Sequence, residues 1–220
     1  MLNRIYYFLH RQASKAKERG EYSAGYWHSL VRKKVLSLCA EKKGNVLEVC
    51  CGEGLFLLSL AERHSDLAIW GVDYDAVRVK MAKDRMQVRA LGNVKLSYQD
   101  ATALNFPDGY FDAVVCINTF FNLASLDEVK KVLLQMKRVC KESGSLIFDF
   151  RNSLNLPLKL KYRCAFSYDA TVRNLPLRAY SPEEIISLLK ELNLSIYLTQ
   201  GVGFPIKRFA PIIIVEVKKR

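Results

Sequence analysis

From residue 46 onward, short apolar runs alternate with longer stretches of helical spacing. That alternation narrows the available folds more than any other feature of the chain. Runs at 46–49, 67–72, 94–98, 112–117 and 145–150 have the length and β-branched content of buried strands. Between them, 55–63, 75–91 and 126–140 repeat apolar residues at helical intervals. Val77, Met81 and Val88 mark the inward side of the 75–91 helix. Val129, Val132, Leu133, Met136 and Val139 mark that of the next helix, which Gly144 closes. Strands separated by helices pair in parallel through right-handed crossovers. The expected fold is therefore α/β, a doubly wound sheet with helices on both faces.

The tail breaks the pattern. Ser181-Pro182-Glu183-Glu184 is a helix start, with a capping serine, proline in the first turn and carboxylates at the positive end of the dipole. That helix reaches Leu192, and strands follow at 194–200 and 212–217. Gly201, Gly203, Pro205 and Pro211 leave no room for a helix between them, so the two strands form a hairpin and the last runs antiparallel to the rest. Residues 1–45 read as two helices ahead of the first strand, and 151–180 as a polar, aromatic and basic insertion. With no repeat and no low-complexity linker, the 220 residues are expected to be one domain: a helical cap (1–45), a core (46–150), an insertion (151–180) and a helix with a hairpin (181–220).

Half of the residues are apolar and a quarter charged, which excludes a disordered chain, a collagen or a disulfide scaffold. The longest near-apolar run, 55–61, falls short of the roughly 20 residues a bilayer span needs. The apolar cluster at 5–9 is too short and wrongly flanked for a signal peptide. A soluble, cytoplasmic protein is expected. No two of the six cysteines have C-x-x-C spacing, so no metal site is expected, and they read as small buried hydrophobes of a reducing compartment.

The net charge of +12 is unevenly distributed. Residues 1–45 carry ten basic and three acidic groups, 151–180 six and one, and 201–220 five and one, whereas 46–150 has twelve against fourteen. A near-neutral body with three basic decorations suits an anionic partner: a small molecule, RNA or an anionic membrane surface touched peripherally.

The chemistry is concentrated at the ends of the first three strands. Glu48-Val49-Cys50-Cys51-Gly52-Glu53-Gly54 runs from a strand through a tight glycine turn into a helix. Such turns let a ligand approach the backbone closely, yet Leu57 stands where a dinucleotide fingerprint has its third glycine. Glu48, four residues before Gly52, would repel a pyrophosphate and suits a cation. Asp73, followed by Tyr74, ends the second strand, where a carboxylate can accept from both ribose hydroxyls. Asp100, after the third strand, can accept from an adenine amino group while the N–H of Ala101 donates to the ring. Three acids along one crevice point to a positively charged adenosine ligand bearing an amino acid.

These residues resemble class I S-adenosylmethionine-dependent methyltransferases, in particular the ubiquinone/menaquinone-biosynthesis type. Glu48–Gly54 resembles the family's first motif, Asp73 its ribose-binding acid, Asp100-Ala101 its adenine contact, and 105–112 (N-F-P-D-G-Y-F-D) its approach to the fourth strand. The resemblance implies a Rossmann-like, seven-stranded sheet in the order 3-2-1-4-5-7-6 with the last strand antiparallel, and S-adenosylmethionine as cofactor. Cys50 replaces the usual first glycine, and cysteine is expected to start the turn with ordinary backbone angles.

The acceptor is less legible. The 116–122 stretch lacks the Asn-Pro-Pro-Tyr type tetrapeptide of amino-methylating enzymes, and Cys116 lies inside the strand, which argues against covalent attack on a base. Asn118 is expected beside both cofactor and acceptor. His28 is a candidate base on a leading segment that could close as a lid, and Arg151 a candidate clamp for an anion. Tyr162, Arg163, Tyr168, Arg173, Arg178 and Tyr180 suit an anionic aromatic or lipid-like acceptor, and RNA equally. Arg151, Arg163, Arg173, Arg178, Lys207 and Arg208 are expected to gather on the cofactor-side rim. A small-molecule or lipid-like acceptor is the leading expectation and RNA the alternative. An aminopropyl transferase, which needs acids for its polyamine, or a non-catalytic binding module is weaker.

Overall fold

Seven strands make one sheet in the order β3-β2-β1-β4-β5-β7-β6 in the computed structural model, which describes residues 26–168, 175–203 and 207–220. They are β1 (Asn45–Val49), β2 (Ala68–Asp73), β3 (Val94–Tyr98), β4 (Phe111–Cys116), β5 (Cys140–Arg151), β6 (Leu194–Val202) and β7 (Ile212–Lys219). Strands β1 to β5 pair in parallel, and β7 is antiparallel to both β5 and β6. The helices are α1 (Tyr26–Leu38), α2 (Leu55–Ala61), α3 (Ala76–Val88), α4 (Leu126–Val139), α5 (Leu156–Tyr168) and α6 (Pro182–Glu191). The expected order and the reversed last strand are both observed.

Alternation along the strands divides the core into two layers. Leu47 and Val49 of β1 face α4 and α6, whereas Val46 faces α1 and α2. Helix α4 buries the five residues its spacing marks, each worth about 1.5–3 kcal/mol of removed apolar surface. Ser125 caps it by accepting from the Glu128 N–H, with Asp127 in its first turn and Lys137 and Arg138 in its last. Helix α6 starts on a complete capping box between Ser181 and Glu184.

Four expectations need correction. Helix α3 turns Val79, Ala82 and Met86 inward, while Val77 and Val88 are exposed. Its neighbour sets the face: a Cβ on Gly54 would lie 2.9 Å from the Ala82 Cβ, so α3 packs where the glycine turn leaves space. Strand β5 begins directly at the end of α4, and Gly144 lies within it rather than closing the helix. Cys140 is opposite Phe111 and Ser145 opposite Ala113, an irregular stretch in which a Gly144 Cβ would meet the Cys140 Sγ at 2.6 Å. The 151–180 insertion carries α5, and a 3-10 turn, Lys207–Phe209, lies among the described residues between β6 and β7. Cysteine burial is also uneven, since Cys164 is exposed and Cys50 half-buried. The first helix expected within 1–45 lies outside the described residues in its 1–25 part, as do Arg173 and the side chains of Tyr168 and Lys207.

Candidate functional site

The chain runs outward from β1 through β2 to β3, then returns to the other side of β1 as β4. In an open α/β sheet the ligand crevice lies at that reversal, beyond the carboxyl ends of the strands. Both central strands end there in a left-handed non-glycine residue: Cys50 after β1 (φ 59°) and Asn118 after β4 (φ 55°). Cys50 thus adopts the backbone of the glycine it replaces, contrary to the ordinary angles expected of a cysteine. Such strain persists only where surrounding structure enforces it. The Cys51 N–H donates to the Val72 carbonyl and the Gly54 N–H to the Cys51 carbonyl, which close the turn. Gly54 (φ 72°) then caps α2. Glu53, itself buried, is held at 2.7 Å by Arg85 of α3.

The three acids differ in state. Asp73 is buried and accepts from the Gly52 N–H (2.8 Å) and the Asp75 N–H (3.0 Å), so it braces the glycine turn against the start of α3. Each of its oxygens keeps a further acceptor site. Glu48 is buried on the α1 face of β1, and its Oε2 has no hydrogen-bond partner among the described residues. Burial pushes its carboxyl well above the usual range, against the opposing pull of Arg32 on α1. Asp100 is exposed, accepts from the N–H and hydroxyl of Thr102, and is held below its usual range by those bonds. Ala101 is half-buried beside it, and Tyr74 is exposed beside Asp73. Around Gly52, the space a Cβ would take is open for 4 Å.

On the acceptor side the structure reassigns Arg151. It is buried, its Nη1 donates to Asp149 at 2.5 Å, its Nη2 to the Asn118 Oδ1 at 3.2 Å, and its guanidinium lies 4.5 Å from the centre of the Phe121 ring. Its charge is neutralised, so it is not the exposed anion clamp expected. Asp149 also accepts from the Asn118 N–H, and its carboxyl is pushed up by burial though Arg151 and Asn118 pull it down. The His28 ring stacks on Phe121 at 5.9 Å, and the Asn118 side chain reaches the His28 carbonyl at 3.5 Å. His28, Asn118, Phe121, Asp149 and Arg151 therefore form one connected group at the ends of β4, β5 and the start of α1. Phe121 packs further into a small apolar cluster with Ala165 and Leu177.

Sequence reasoning missed Asp149, Phe121 and Arg32. Asp149 left one signal, since a residue two before an arginine on a strand shares its face. Arg163 and Arg178 are exposed, while Arg208 pairs with Glu183 at the surface. The hairpin loop and the insertion do meet at this edge: Asn152 donates to the carbonyls of Arg208 and Ala210, and Asn155 to that of Phe209.

Residues 46–144 match the family described as methyltransferase domain. That match takes in β1 to β4 and the turns after them, just under half of the chain. The chain is 33% identical over 108 residues to a demethylmenaquinone methyltransferase of Geobacillus kaustophilus, covering 49% of this chain and 45% of that protein. The corresponding Listeria welshimeri protein is 32% identical over 132 residues, covering 59% and 55%. The chain thus spans about half the length of the curated relatives it matches. Among solved structures, magnesium protoporphyrin IX methyltransferase from Synechocystis PCC 6803 superposes with a TM-score of 0.72 at 17% identity, over 100% of this chain and 96% of that one. A methyltransferase from Clostridium acetobutylicum gives 0.66 at 20%, over 99% of both. These two likenesses show the fold.

The described residues fit the cofactor this domain implies. Among them a buried Glu48 oxygen lacks a partner, Gly52 leaves its side of the turn open, and Asp73 keeps acceptor sites that suit a hydroxylated ligand better than a phosphate.

Proposed function

We propose that this chain transfers a methyl group from S-adenosylmethionine to a small, lipid-like acceptor of the demethylmenaquinone kind. The observation that carries the reading is the pair of acids at the glycine turn, Asp73 bonded to the Gly52 N–H and Glu48 with an oxygen that lacks a partner among the described residues, with Asp100 following the next strand. When bound, the cofactor supplies an electrophilic methyl on a positively charged sulfur.

The protein's part is binding and orientation. Asp73 accepts from the ribose hydroxyls with the acceptor sites its two backbone bonds leave over. Asp100 would accept from the adenine amino group, the Ala101 N–H would donate to the ring, and the exposed Tyr74 would lie beside it. Cys50, Gly52 and Gly54 would hold the backbone beside the cofactor's amino-acid end, and Glu48 would offer it the carboxyl oxygen that lacks a partner among the described residues. Asn118, fixed by Asp149 and Arg151, would lie beside cofactor and acceptor. His28 on Phe121 is the candidate for accepting the acceptor's proton. Arg151, paired to Asp149, offers no free charge clamp, which favours an acceptor recognised without one. The demethylmenaquinone methyltransferases among the relatives support the same class.

Calorimetry tests the cofactor half. S-adenosylmethionine and its demethylated product should bind, and Asp73→Ala should weaken them by about 1–3 kcal/mol, as for a lost hydrogen bond to a charged group. Preference for a nicotinamide dinucleotide would overturn it. Methyl transfer from labelled cofactor to a demethylated naphthoquinone tests the acceptor half. Transfer to RNA, with none to the quinone, would overturn that half alone.

A further inference from the structure

Helix α5 buries one narrow stripe, Leu158 and Ala165 with Tyr162 half-buried between them, and turns its other side outward. Leu156 and Leu160, one turn apart on that outer side, are 73% and 64% exposed, the two most exposed leucines among the described residues. Lys159 and Arg163 flank this ridge on one side, both exposed, while on the other the Lys161 ammonium lies 5.2 Å over the Trp27 ring. No acidic residue occurs between Asp149 and Asp169. Phe209, 54% exposed, sits beside the start of the helix, its carbonyl held at 2.8 Å by Asn155. The exposed Arg208 precedes it and pairs with Glu183 at the surface.

We propose that this face, Leu156 and Leu160 of α5 with Phe209, docks on an anionic lipid bilayer. An apolar ridge bordered by cations matches an interface in which acyl chains lie beneath anionic headgroups, and the two attractions together give stable but reversible binding where either alone is marginal. No described helix is long and apolar enough to cross a membrane, so the contact is peripheral. Charge complementarity selects this occupant. A second copy packed symmetrically on the ridge would set Lys159 and Arg163 against their own kind. An RNA would leave the leucines in water, since binding of single strands relies on rings and cations. Ala165 on the inner side of the same helix contacts the Phe121 cluster, so docking brings the acceptor side of the site to the bilayer. The inference deepens the proposed lipid-like acceptor, but vesicle binding is read without turnover and stands or falls separately.

Co-sedimentation of the full chain with vesicles tests it. Binding should be clear with phosphatidylcholine–phosphatidylglycerol vesicles at low salt and at least about tenfold weaker with phosphatidylcholine alone or at high salt. Leu156→Gln with Leu160→Gln should lower it about tenfold or more. Lys159→Glu with Arg163→Glu should abolish the preference for phosphatidylglycerol. Leu134→Gln, an exposed leucine on α4, should change nothing. These positions are exposed, so melting curves and calorimetric cofactor affinity should match the parent, which separates docking from folding and from the cofactor reading. No binding to phosphatidylglycerol vesicles would overturn the proposal. So would leucine variants that bind like the parent, or that convert a dimer of the parent into a monomer.

Discussion

The β1–β3 half and the β5–β7 half meet at one crevice but are built on opposite terms. On the first, the geometry rests on backbone: a glycine turn, the left-handed Cys50 and an Asp73 that accepts from two N–H groups. On the second it rests on buried side chains, with Asp149, Arg151 and Asn118 satisfying one another under Phe121. A backbone site can bind the same cofactor wherever the fold recurs. A site of paired side chains changes character when one member changes, which suits the part that selects an acceptor.

If that contrast holds, the largest effect comes from breaking the buried pair. Asp149→Ala leaves the Arg151 charge buried and unpaired, and should cost about 3–5 kcal/mol in urea unfolding. A loss below about 1 kcal/mol would mean that water or a shifted side chain compensates, and the two halves would not differ as described. Next comes the turn. Gly54→Ala places a Cβ at φ 72°, 2.9 Å from the Ala82 Cβ, and should cost about 1–2 kcal/mol from the left-handed backbone, with weaker cofactor binding. Unchanged cofactor affinity would detach the turn from the ligand.

The smallest effect sharpens the comparison most, because its sign is opposite. Burial raises the Glu48 carboxyl, so the folded state holds that proton more tightly than the unfolded one. Its contribution to stability is therefore greatest in acid and is lost as pH climbs from the unfolded value near 4.5 through the raised value. Glutamine mimics the protonated form. Glu48→Gln should therefore melt a few degrees higher than the parent at about pH 8 without cofactor, the gap closing towards acid. It should also bind the cofactor more weakly. A variant less stable than the parent at neutral pH would show that the Arg32 attraction outweighs burial.

Much of this protein is written locally. The strand and helix alternation, the capping box at Ser181, the inward face of α4 and the strand-end positions of Glu48, Asp73 and Asp100 are properties of short segments. A periodicity or a cap needs only its neighbours in sequence to be recognised. What escaped was settled between segments far apart. The inward face of α3 depends on Gly54 making room for Ala82. Gly144 answers to a strand irregularity opposite Phe111, not to the end of a helix. Arg151 becomes a buried partner because Asp149 shares its strand face and Asn118 arrives from β4. Cys50 takes a left-handed backbone because the turn between β1 and α2 requires it, at a cost that only the surrounding hydrogen bonds offset. Charge state and exposure depend on what lies across the gap, and that is known only once the chain has folded.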